Sequence, residues 1–180
     1  MHTEPDDSQT ARTINLFGAL ALEAVAAQEA AATAAVGQAG AAAGALVTIG
    51  AHSNKTLEEL RIPLGLSQPG ATRLLDRLVR AGWVERAGAG GRHGLKLRLT
   101  PAGKEVVERI FAARRAALAE LLEPLPAADR KRLEKMLERL LAARTHDGWD
   151  ARRLCRVCER PVCRRCPVAN AVPRDQPASR

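Results

Sequence analysis

Apolar residues near the start of the chain recur at helical spacing. Ile14, Leu16, Phe17, Leu20, Leu22 and Val25 predict a long helix from about residue 13 to about residue 35. A second helix is expected over residues 39–51 with Leu46, Val47 and Ile49, and Ser53 and Asn54 break it. Thr56 with Glu59 three residues on predicts a capping box heading a short helix, which Pro63 and Gly65 end early. Ser67 is the next N-cap, with Gln68 and Pro69 in the first turn, where a missing backbone N–H is tolerated. Behind it Ala71, Leu74, Leu75, Leu78 and Val79 form one stripe, and Gly82 can supply the left-handed stop.

The period then switches to two. Residues 84–87 and 95–99 alternate, with leucines on one face of the second run and Lys96 and Arg98 on the other. Between them lie four glycines, the tip of a hairpin. Thr100-Pro101 opens a long helix with Val106, Val107, Ile110 and Phe111, closed by Pro124 and Pro126. A final helix is expected from about residue 127 to 144, carrying Leu133, Met136, Leu137, Leu140 and Leu141. The fold class is mainly α: a winged helix-turn-helix with a small β-hairpin wing and N- and C-terminal helices left for dimerisation.

On the helix after Ser67 the outward positions are Gln68, Thr72, Arg73, Asp76 and Arg77. A helix fits the major groove of B-DNA, and Gln and Arg can bond adenine and guanine edges in pairs. Thr72 suits a phosphate or a thymine methyl. In the wing, Arg92 between glycines and Lys96 on the strand can reach a neighbouring groove or phosphate. The DNA-contacting set is therefore Ser67, Gln68, Thr72, Arg73, Arg77, Arg92 and Lys96. Asp76 is read instead as the ion-pair partner of a nearby Arg, and Trp83 as core.

Charge sharpens this picture. The chain of 180 residues carries a formal +8, but residues 1–54 are net −4, residues 55–98 net +5, and residues 151–180 net +6. The positive excess sits on the reading segment and on the tail, as expected for a phosphate-binding surface. No basic-then-apolar leader opens the sequence, and residues 30–51, long enough to span a bilayer, are mostly Ala and Gly, which insert weakly. A cytoplasmic protein without membrane association is expected. The histidines show no nucleophile-plus-base pattern, so no catalysis is assigned.

The stretch TLEELRIPLGLSQPGATRLLDRLVRAGWVERAGAGGRHGLKLRLTPAGKEV resembles the MarR family of bacterial regulators, matching its scaffold helix, recognition helix, wing and following helix. The similarity runs more loosely over about residues 13–143. It implies a dimer built by the first and last helices, which sets two recognition helices in successive major grooves of a pseudo-palindromic operator and releases DNA on binding a small-molecule effector. The chain departs from the family in Gly90, where an Asp usually precedes the wing Arg, and in Pro63 within the scaffold helix.

All four cysteines lie in the tail: Cys155, Cys158, Cys163 and Cys166, spaced C-x2-C-x4-C-x2-C. Two such pairs can bring four sulfurs to one tetrahedral ion. Six nearby arginines favour thiolates. Zinc is the expected cofactor, with an iron–sulfur cluster as the alternative and a reduced thiol cluster as the bland reading. The expected organisation is a disordered lead over residues 1–12, a DNA-binding and dimerisation domain over 13–146, and an Arg/Cys-rich tail over 147–180. The function expected is a sequence-specific transcriptional regulator, more readily a repressor, released by a small ligand, a metal or oxidation. The competing readings are a thiol- or metal-based redox protein and a protein-interaction module centred on the tail.

Overall fold

A computed structural model describes residues 7–38, 40–51, 56–87, 96–163 and 165–172. The order is α1 (Asp7–Val36), α2 (Ala42–Ala51), α3 (Leu57–Arg61), α4 (Gln68–Arg80), β1 (Val84–Ala87), β2 (Lys96–Leu99), α5 (Pro101–Leu122), α6 (Ala127–Ala143), α7 (Gly148–Leu154) and α8 (Pro167–Ala171). The two strands pair antiparallel, Val84 opposite Leu99 and Ala87 opposite Lys96.

One core gathers the apolar stripes of α2 to α5 and the hairpin. Leu46, Ile49, Leu60, Leu78, Leu97 and Ile110 are fully buried in it. The long outer helices contribute little: among the described residues Val36 is the one buried in α1, and α6 has none. Helix α1 lies along α5, with Arg114 donating to the Gln28 side-chain oxygen at 3.1 Å.

Helix α1 begins at Asp7, inside the stretch 1–12 expected as a disordered lead. No Pro or Gly follows Pro5 until Gly18, so nothing in the sequence stops the helix from propagating backwards, and the Thr13 hydroxyl donates to the Gln9 carbonyl within it. The tail, in turn, is folded over residues 147–163 and 165–172. Asp147 caps α7 by accepting from the backbone N–H of Trp149 and Asp150, and Arg152 stacks on the Trp149 ring at 5.1 Å. Val168 is buried, Val157 sits against Gly44 of α2, and Glu159 pairs with Arg115 of α5 at 3.5 Å. A few well-placed apolar residues dock the segment on a pre-formed body, so it needs no core of its own.

The Ala/Gly-rich stretch 30–51 breaks into two helices between Gly37 and Ala41, and α2 is buried in the core, as a packed helix rather than a span. By length and composition alone, Ser8–Val36 is a helix long and apolar enough to cross a membrane.

Candidate nucleic-acid interface

Helix α4 is built to hold its outer face still. The Ser67 hydroxyl accepts from the Gly70 N–H at 3.3 Å, satisfying one orphan donor of the first turn. At the other end the Trp83 N–H reaches the Leu78 carbonyl and the Gly82 N–H the Val79 carbonyl, a complete Schellman stop with Gly82 at φ 73°. Ala71, Leu74, Leu75 and Leu78 are buried on the inner face. The helix is thereby pinned along one side and at both ends.

The outer face then carries the predicted set. Ser67, Gln68, Thr72, Arg73 and Arg77 are all exposed. Thr72 donates its hydroxyl to the Gln68 carbonyl at 3.0 Å, which leaves its methyl and an oxygen lone pair for a partner. Arg73 and Arg77 make no side-chain hydrogen bond or ion pair among the described residues. Asp76, on the same face, is neutralised by Arg86 of β1. Asp76 was expected to serve such a pair; its partner, ten residues away across the α4–β1 turn, was not foreseen. The pair also ties the wing to the recognition helix. Lys96, half-buried, opens β2, while Arg92 lies outside the described residues.

A second fastening went unnoticed in the sequence. Thr100 caps α5 by accepting from Gly103, donates its hydroxyl to the Gly82 carbonyl at 2.6 Å, and bonds the Trp83 carbonyl through its own N–H. Gly103 lies so close that a Cβ there would stand 2.0 Å from the Trp83 carbonyl oxygen. The start of α5 is thus welded to the end of the α4 stop.

Residues 37–93 match the sequence model of the MarR family. The transcriptional repressor MprA of Escherichia coli K12 is 32% identical over 101 residues, 54% of this chain and 57% of that protein. The chain thus spans a little over half the length of this curated relative. The YusO protein of Bacillus subtilis superposes with a TM-score of 0.63 at 20% identity, over 76% of this chain and 97% of that one. The MarR family protein RV2887 of Mycobacterium tuberculosis, solved with salicylic acid, gives a TM-score of 0.54 at 25% identity, over 68% of this chain and 94% of that one. The fold is that of the MarR-type winged-helix proteins, and residues 37–93 carry that family's sequence pattern.

The cysteines lie beyond the segment matched by the MarR family model. Cys155, Cys158 and Cys166 are half-buried, Cys163 is exposed, and all four are free thiols. Cys155 and Cys163 each lie within electrostatic reach of Cys158 and Cys166. All four line one cavity of ≈ 370 Å³ between α6, α7 and α8. Cys158 is pulled down to about 6, first by the hydrogen bond from Cys155 and then by Arg114, Arg160 and Arg156, against the effect of burial. Cys155 is correspondingly raised, chiefly by the same hydrogen bond, and burial raises Cys163. Among the described residues, no group of three or more His, Cys, Asp or Glu side chains stands in ready metal-binding geometry.

Proposed function

We propose that the chain is a homodimeric, sequence-specific DNA-binding regulator of transcription, acting as a cytoplasmic repressor and not as an enzyme. The observation that carries this reading is the outer face of α4. Two exposed arginines on a rigid, capped helix have no partner among the described residues, while Asp76 beside them is neutralised by Arg86 of β1. Free guanidinium forks held on a helix of this width are what base-edge and phosphate contacts require. Similarity to the repressor MprA supports the regulatory sense.

Dimerisation accounts for the outer helices. Ile14, Phe17 and Leu22 of α1 are 63%, 59% and 75% exposed, and Met136, Leu137 and Leu140 of α6 are exposed as well. Apolar area of this extent on helices at both ends of the chain fits a second copy better than water. The same occupant accounts for the apolar length of α1 without a bilayer.

Release by a small ligand has a place to act. A cavity of ≈ 580 Å³ lies between α2, β2, α5 and the tail, lined by Ile49, Val107 and Phe111 and by the charged Arg98, Lys104, Glu108 and Arg160. Apolar walls with a few cations suit a small aromatic acid, the class that the RV2887 complex contains. The thiol cluster offers metal or oxidant a separate point of action.

The deciding experiment is retardation of DNA from upstream of the protein's own gene, with footprinting. Two protected half-sites about 10–10.5 base pairs apart support the reading. Binding to any duplex with equal affinity, or to none, overturns it.

A further inference from the structure

We propose that Cys155, Cys158, Cys163 and Cys166 bind one zinc ion per chain, and that the ion ties the C-terminal segment to the body formed by α2, α5 and α6. This goes beyond the DNA-binding reading and does not depend on it.

All four thiols line one cavity of ≈ 370 Å³, so a ring of sulfurs around a single ion can close there. Sulfur ligands at about 2.3 Å from a tetrahedral zinc stand roughly 3.8 Å from each other. The sulfurs fall short of a formed shell, and the two short turns that carry the cysteines would have to close it. In them the Cys158 N–H bonds the Cys155 carbonyl at 3.1 Å and the Cys163 N–H bonds the Arg160 carbonyl at 3.1 Å.

The surroundings fit the charge of such a site. Four thiolates around a divalent ion leave a net −2, and Arg114, Arg156 and Arg160 all lie within electrostatic reach of Cys158. The Cys166 sulfur already accepts from the Ala169 N–H at 3.4 Å, the kind of backbone donor that steadies a metal-bound thiolate. A disulfide between neighbours such as Cys155 and Cys158 would use two sulfurs and cross-link nothing beyond one turn. An ion uses all four and joins the end of α7 to the start of α8.

The position gives the ion a mechanical role. Within the first cysteine pair Val157 rests on Gly44 of α2, and just after it Glu159 pairs with Arg115 of α5. After the last cysteine, Val168 is buried and α8 packs on α6. Closing the ring fixes both ends of this segment at once.

The test uses the full chain, purified under reducing conditions without chelator. Metal analysis should find about one zinc per chain, lost in Cys163→Ser and in Cys166→Ser, with helix content unchanged in Cys163→Ser because that side chain is exposed. Trypsin should cut the arginine-rich segment about tenfold faster after chelation, since opening governs cleavage, and added zinc should restore protection. Absence of zinc with four freely reacting thiols overturns the site, as does undiminished zinc in both variants. Iron with sulfide in place of zinc overturns the assignment of the ion. Equal cleavage rates in loaded and stripped protein overturn the tie.

Discussion

Arg73 stands on the second turn of α4, exposed and without a partner among the described residues. Arg73→Ala should weaken operator binding by about 1–3 kcal/mol and relax preference at one base position, measured by titration against a set of single-base operator variants. Unchanged affinity and preference would remove Arg73 from the reading face. Gly103 offers a prediction of another kind. Gly103→Ala drives a methyl into the Trp83 backbone, which cannot swing aside as a side chain can. The expected cost is about 1–3 kcal/mol, seen as a melting temperature lower by several degrees; an unshifted melt would show that the α5 seam yields. The outward arginines were legible in the sequence because a capped stripe fixes the opposite face of the same helix. Gly103 was not, because its importance arises only when the hairpin returns the chain to Trp83. The Asp76–Arg86 pair was half legible: the carboxylate asked for an arginine, and only the turn after Gly82 decides which one.

Whole elements carry their signals locally or not at all. The caps at Thr56, Ser67 and Thr100 and the stop at Gly82 could be read directly, since each bonds atoms a few residues away. The docking of residues 147–172 could not, because it rests on single residues such as Val157 and Val168 meeting distant partners, with no period to announce them. The outer helices show the reverse case: clear apolar stripes on α1 and α6 that the single chain leaves uncovered. Leu20→Glu on α1 should therefore convert a dimer to monomers by placing an unpaired charge in the interface, a cost of several kcal/mol. Light scattering would read the mass and circular dichroism the retained helicity. A wild-type chain that is already monomeric at micromolar concentration, or a variant that stays dimeric, would discard this face.

For the molecule as a whole, charge is divided by task. Residues 1–54 are acidic, while the positive excess sits on residues 55–98, which carry α4 and the hairpin, and on residues 151–180. If each head of a dimer neutralises about three phosphates, the logarithm of affinity should fall with the logarithm of salt at a slope near −5. A slope near zero would exclude a phosphate-dominated interface. The fastening of α5 to the recognition helix sets a further scale. A helix of 22 residues is about 33 Å long, and its first turn is bonded to Gly82 and Trp83 with no slack. It is a lever whose short stroke is geared directly to the groove. A tilt of about 5° about its far end carries the close of α4 through roughly 3 Å, about the rise of one base pair. For the DNA-binding role proposed above, disengaging would ask for no unfolding, only a change of angle small enough to be set by a single wedge between α2 and α5.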